Sequence, residues 1–431
     1  MRKVRDSIGS AASIPGTQAE AAWGDRAVAA LPEPARRRMH AAARTIRHLS
    51  PAGPLLATAI VLLLLLFGFY GRLHNTYVLG PHAVLDYIDI GSRFASHIGL
   101  QQQALNRTGY DGQFNYYLGL HPDLIVTCAH DSATCPLDDL RLVRVERILF
   151  PMTARLVALG QPQLLPYALL LVNFAAILVI VWLVGSLAVA AGASRWLGAA
   201  AGLYAGNVIG FLRDLSDPFS VMWVVVAIYL LCKNRPLLAA LAVGAALLSR
   251  EQLLFYLPFL ALPLVAERRW RVLATSAAIA LGPFVTWQLV LRVLYGSFPL
   301  IAGDSGAARL VLIPFQGLWQ ERFRPDFGLT VLCVVVPLVL AVSIALMAFW
   351  EQGPRGLLRD PLPIMVVLYS MLLSFTYWFQ WADVRAPSRL AAPALVLALL
   401  IAARQRAPAL RASYATLLAV TALAPLILII A

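Results

Sequence analysis

Eleven apolar runs of near-spanning length leave this chain few ways to fold. They fall at 54–70, 166–191, 196–212, 218–232, 236–249, 252–266, 272–295, 329–350, 362–380, 388–403 and 412–430. A helix needs about 20 apolar residues to cross the hydrocarbon core of a bilayer, and the shorter runs can tilt, pair or re-enter. Buried backbone in lipid must satisfy its own hydrogen bonds, which points to helices. The runs therefore predict an all-α polytopic membrane protein with about 11 transmembrane helices. Only 13% of the residues are charged, against roughly a quarter in a soluble protein.

The net charge of +13 raises nucleic acid as a partner, and its distribution answers the question. With the N-terminus cytoplasmic, the cytoplasmic segments hold 20 Lys/Arg against 7 Asp/Glu, and the opposite side holds 15 of each. All the excess positive charge then lies on one face, where orientation and anionic lipid account for it. A bilayer partner is expected and nucleic acid is not.

Residues 1–53 read as a basic cytoplasmic tail, disordered in water or lying partly as a helix on the inner leaflet. No signal-peptide pattern stands before the first run, which reads as a retained anchor. Residues 54–431 form the transmembrane domain. Within it, 71–165 is a first extracytoplasmic loop and 296–328 a second. Cys128 and Cys135, in "CAHDSATC", lie in the first loop, where thiols oxidise, and a disulfide is expected. Zinc with His121 or His130 is the alternative, but the spacing matches no usual zinc pattern. Cys232 and Cys333 sit in apolar runs as packing residues.

Nearly every other polar cluster falls on the extracytoplasmic side. Asp86, Asp89, Asp111, Asp123, Arg144 and Arg147 are in the first loop, "RDLSDP" spans 213–218, "SRE" spans 249–251 and "WADVRAPSR" spans 381–389. Single charges at helix ends are often inert, because long side chains snorkel to the interface. Balanced, one-sided clustering instead predicts a cavity for an anionic substrate beside an acid–base group.

"GYDGQFNYYLGLHPD", followed by "RVERILFPMTARLVALG", resembles the first outer loop of bacterial integral-membrane glycosyltransferases of the GT-C type. "LLSREQLLF" and "DVRAPSRLAAP" resemble two shorter motifs of that family. Asn115 stands where the pattern has an aromatic, and His121 where it has Asp, which leaves Asp123 as the nearby acid. The resemblance implies a large first outer loop with short helices. It further implies inverting transfer of a sugar from a polyprenyl-phosphate donor to a glycan, lipid or protein acceptor, at the outer face of the bacterial inner membrane.

Such a reaction needs a carboxylate to take the acceptor's proton and cations to stabilise charge growing on the leaving phosphate. Asp111, in a turn between Gly109 and Gly112, is the expected base. Asp86 and Asp89, three apart and on one face of a helix, are the alternative base or a site for a divalent cation such as Mg or Mn; no other metal site is assigned. Arginine suits phosphate oxygens, and Arg250 and Arg385 are expected on phosphate, followed by Arg213, Arg147 and Arg389. Tyr110, Gln113, Tyr116, Tyr117, Asp383 and Glu251 are expected to bind substrate, the two acids also orienting arginines. Phe114, Trp378 and Trp381 are further candidates for a sugar surface. A transporter or flippase for a lipid-linked or anionic solute also wants arginines in a cavity, but places its charges near the bilayer midplane. A non-catalytic envelope component is a third reading.

Overall fold

A computed structural model describes residues 51–74, 83–95, 99, 104, 106–131, 135–137, 141–299, 311–405 and 408–423. The expected tail up to residue 50, the "GDSGAARL" part of the second loop and the last part of the eleventh run lie outside the described residues. Among the described residues the regular structure is helical, with one isolated bridge between Gly91 and Asn106.

Among the described residues, five helical segments are long and apolar enough to cross a membrane: Ala52–Tyr70, Pro162–Ala190, Trp270–Tyr295, Phe327–Arg359 and Arg385–Arg404. Four shorter apolar helices, Asp217–Cys232, Pro236–Ser249, Glu251–Ala266 and Leu362–Ser374, accompany them. The chain is an all-helical, multi-pass membrane protein. The run at 196–212 is not one helix: it divides into Trp196–Gly202 and Ala205–Leu212. Tyr204 leaves helical backbone between them, at ψ 137°, and the Ala205 amide donates to the Thr421 hydroxyl instead, at 3.0 Å.

The Arg385–Arg404 segment is the central helix, 94% buried, against 28% for Ala52–Tyr70 and 22% for Trp270–Tyr295. Asp383 starts it by accepting the Arg385 amide at 2.8 Å, and Asp326 accepts the Val384 amide at 3.1 Å. Acidic groups at a helix N-terminus satisfy otherwise unpaired amides and oppose the positive end of the helix dipole. The Ala205–Leu212 helix packs tightly on this central helix at Gly206, where an added Cβ would lie 2.2 Å from the Ser388 carbonyl oxygen. That approach brings Arg213 and Arg389 to the same end of the bundle.

The first loop folds as a cluster of short helices that includes Ala83–Ile88, Gly112–Leu120, Leu124–His130, Arg141–Glu146 and Leu149–Val157. Phe114, Tyr117, Leu118, Cys128, Val145 and Phe150 bury a common core within it. Cys128 and Cys135 are joined in a disulfide, Cα to Cα 4.9 Å. Arg155 donates to the Gly119 and Leu120 carbonyls at 2.7 and 3.0 Å, which satisfies the open C-terminal end of the Gly112–Leu120 helix. Trp287 and Tyr295, on the Trp270–Tyr295 helix, donate to the Val145 and Ile125 carbonyls at 3.1 and 2.8 Å. The loop is therefore fixed to the bundle by side chains of a long helix.

Candidate functional site

The site is built around the turn at Asp111. Gly109 takes φ +68°, a conformation open to glycine at little cost. Gln113 is buried behind the turn; its Oε1 accepts the Gly91 amide at 3.0 Å and its Nε2 donates to the Thr108 carbonyl at 3.0 Å. Gly112 rests against the backbone of Arg213, with 2.2 Å between a built Cβ and the carbonyl oxygen. Three residues further along the helix, Asn115 donates to the Asp214 carbonyl at 2.9 Å. These contacts lock the Asp111 turn onto the junction between the Ala205–Leu212 and Asp217–Cys232 helices.

A cleft opens there, lined by Asp111, Phe114, Asn115, Arg144, Arg147, Leu215, Ser216, Asp217, Arg250 and Arg389. Arg144 pairs with Asp111 at 3.0 Å and lies over the Phe114 ring, 4.4 Å from its centroid. Arg389 reaches Asp111 at 3.4 Å and Asp217 at 3.7 Å, and Arg250 meets Asp217 at 3.0 Å. Arg147 makes a two-pronged pair with Glu251, at 2.6 and 2.9 Å. Four guanidinium groups thus face three carboxylates. The buried Nε atoms of Arg250 and Arg389 have no hydrogen-bond partner among the described residues. An oxyanion entering this cleft meets a surplus of positive charge and N–H donors on wall groups that are already desolvated.

The electrostatics of the loop follow from this crowding. Burial disfavours ionised Asp111, but Arg144, Arg389 and Arg147 outweigh it and hold the carboxyl well below the usual range. Glu146 goes the other way: burial, reinforced by Glu251, pushes its carboxyl up to about 8. It is 1% exposed and accepts a hydrogen bond from Gln288 at 2.5 Å. Arg147, its neighbour in sequence, turns its fork to Glu251 instead.

Of the residues expected on phosphate, Arg147, Arg250 and Arg389 line this cleft, together with the expected base. Arg385 and Arg213 do not. Arg385 pairs with Asp383 and lies 4.6 Å from the centroid of the Tyr110 ring, while Arg213 pairs with Asp89 at 2.6 Å and lies 5.8 Å from that ring. Glu251 orients Arg147 rather than its neighbour Arg250.

Several expectations need correction. Tyr116 and Tyr117 do not present a sugar surface: they are 6% and 0% exposed and pack into the loop core. Gln113 is a buried brace, not a substrate ligand, and Tyr117 donates to its Oε1 at 3.2 Å. Trp381 is 2% exposed and packs on Phe315, with ring centroids 5.8 Å apart. Asp86 and Asp89 do not share a helical face, because the helix ends at Ile88 and Asp89 takes φ +57°. Both Asp89 oxygens are occupied, one by Arg213 and one by Asn106 at 2.6 Å, so this acid fits neither a base nor a metal ligand. No group of three or more His, Cys, Asp or Glu side chains suited to a metal occurs among the described residues. His121 and Asp123, at 47% and 70% side-chain exposure, lie outside the cleft lining.

Sequence reasoning missed Arg144, Asp217 and Asn115 as members of the site. "RDLSDP" already placed Asp217 in a charged cluster, and "RLVRVER" held Arg144 three residues before Arg147. Nothing in either stretch showed that they meet.

No protein-family model matches this chain. No solved structure matches it either. A curated protein of Sinorhizobium fredii (strain NBRC 101917 / NGR234), described as a probable peptide ABC transporter permease, is 23% identical in an alignment of 131 residues that covers 25% of this chain. The match spans about two fifths of that protein's length, 42%.

Proposed function

We propose that this protein is a GT-C-type glycosyltransferase that moves a sugar from a polyprenyl-phosphate donor to a cell-envelope acceptor, with inversion. One observation carries the reading: the Asp111 carboxylate shares a cleft with Arg144, Arg147, Arg250 and Arg389. A base and a cluster of phosphate-binding cations are what displacement of a phosphate from an anomeric carbon requires. In this reading Arg250, Arg147 and Arg389 hold the donor phosphate as charge grows on its bridging oxygen. Asp111 takes the proton of the attacking hydroxyl. The Arg389–Asp111 pair is long, at 3.4 Å; a phosphate drawing Arg389 toward itself leaves Asp111 more basic once the donor is bound.

The topology belongs to the same proposal: about eleven crossings, a cytoplasmic N-terminus and a site on the outer face of the bacterial inner membrane. The donor's lipid chain lies along the bundle in the bilayer.

A transporter is the second reading, favoured by the partial likeness to a probable permease. Against it, the charged groups stand at helix ends: Arg250 ends the Pro236–Ser249 helix, Asp217 begins the Asp217–Cys232 helix, and Arg389 lies early in Arg385–Arg404. The two readings separate in proteoliposomes charged with a radiolabelled polyprenyl-phosphate sugar and a crude envelope acceptor fraction. The enzyme predicts label moving from lipid to acceptor, with the anomeric configuration inverted. Label crossing the bilayer while still attached to its lipid supports the transporter and removes the enzyme reading.

A further inference from the structure

Tyr110 and Asp111 are consecutive, yet they serve different surroundings. Asp111 lines the arginine cleft, whereas three guanidinium groups gather on the ring of Tyr110: Arg385 at 4.6 Å, Arg389 at 5.3 Å and Arg213 at 5.8 Å from its centroid. Tyr110 itself is partly buried, and burial pushes its phenol up to about 12. It therefore presents a neutral ring to those cations over the working pH range.

Like charges crowded on one ring repel unless something balances them. Two carboxylates do so in part. Asp89 accepts one N–H of Arg213, and Asp383 takes the Nε and Nη2 edge of Arg385. Each acid is thereby committed, Asp89 also to Asn106. Among the described residues, Arg213 Nη2 and Arg385 Nη1 hold no partner. Burial lowers the Arg213 pKa, Asp89 opposes that, and the charge of Arg385 adds to the lowering. The Arg385 side chain is 33% exposed and that of Arg213 15%, so these free N–H edges stand at an accessible rim, outside the cleft lining.

We infer that Tyr110, Arg213 and Arg385 form a second oxyanion subsite, next to the arginine cleft, which takes a phosphate or carboxylate group of the acceptor. The inference rests on the glycosyltransferase reading for the word acceptor; the subsite itself rests on the free guanidinium edges. Arg389 touches both places, since it lies on the Tyr110 ring and pairs with Asp111 and Asp217. The acceptor is thus anchored by its anion on one side of Asp111 while its hydroxyl meets the base. Neutral acceptors lose this anchor.

The test uses the full-length protein in nanodiscs, titrated with inorganic phosphate and, separately, acetate, with and without saturating polyprenyl phosphate. Wild type is expected to bind one of the two small anions even when polyprenyl phosphate is saturating, and which one binds identifies the group on the acceptor. Arg385→Gln should weaken that event at least about tenfold, as expected for loss of a charge-assisted pair, while polyprenyl phosphate affinity stays within about twofold. Arg250→Gln should do the reverse. Arg385→Lys, which keeps the charge and its pairing with Asp383, guards against misfolding and should restore part of the affinity. No small-anion binding sensitive to Arg385, or loss of both ligands together in Arg385→Gln, overturns the second subsite. Failure of polyprenyl phosphate to bind at all removes the donor assignment, yet leaves an Arg385-dependent phosphate event standing as evidence for the subsite.

Discussion

Two acids of the first loop carry opposite electrostatic loads. Burial, reinforced by Glu251, outweighs Arg147 and Gln288 and favours the neutral form of Glu146. The folded carboxyl is raised from its ordinary 4.5 to about 8, so the folded state binds the extra proton throughout that window. Stability from this group is therefore complete below about pH 4.5 and is lost as pH rises through about 8. Melting of the purified protein between those limits should show this decline, and Glu146→Gln, which mimics the neutral acid, should flatten it. An unchanged slope in Glu146→Gln contradicts the assignment. Asp111 has the reverse sign: its carboxyl is depressed by the arginines, and its contribution is lost only as pH falls below the usual carboxylate range. The place of Asp111 in the cleft was legible in the sequence because a turn acid between glycines stood out from its apolar surroundings. Tyr116 and Tyr117 misled for a plain reason. Seven of the nine residues of Gly112–Leu120 are buried, so aromatic and amide side chains that look like ligands are core.

Among the elements, the Gly112–Leu120 helix matters most, because its first residue seats the Asp111 turn. Gly112→Ala puts a Cβ 2.2 Å from the Arg213 carbonyl oxygen, and backbone cannot swing aside as a flexible side chain can. Overpacking of this kind costs about 1–3 kcal/mol, and the turn must shift relative to Arg213 and Arg389. A lower melting temperature together with faster proteolysis in the first loop is the expected result; wild-type behaviour contradicts the close packing. The Cys128–Cys135 bridge closes a short loop in the same region, worth about 2–3 kcal/mol by loop-closure entropy. Dithiothreitol should lower the melting temperature of wild type and leave that of Cys128→Ser/Cys135→Ser unchanged. Elements were less legible than residues. The apolar run at 196–212 carries no break signal stronger than its glycines, and the division at Tyr204 comes from packing against Thr421 and Ser388, which lie some two hundred positions away in sequence.

At the scale of the molecule, membrane residence followed directly from the apolar runs, and the grouping of Arg147, Arg250, Arg389 and Asp111 followed from assigning the polar clusters to one side. The partition of the arginines did not. Arg250, Arg385 and Arg389 all sit at helix ends with similar neighbours, and only the packing of the helices decides which side of Asp111 each one serves. That partition gives the proposed enzyme its design: a buried arginine cleft for a leaving phosphate, a carboxylate at its edge, and a rim of further guanidinium groups. The central claim is that Asp111 takes the acceptor's proton beside that cleft. Steady-state transfer from a polyprenyl-phosphate sugar by Asp111→Asn, reconstituted beside wild type, tests it most directly. The variant keeps its fold but melts lower, having lost its charge pairs with Arg144 and Arg389, and its turnover should fall by about 10²–10⁴-fold with donor binding retained. Turnover within a few-fold of wild type contradicts the account.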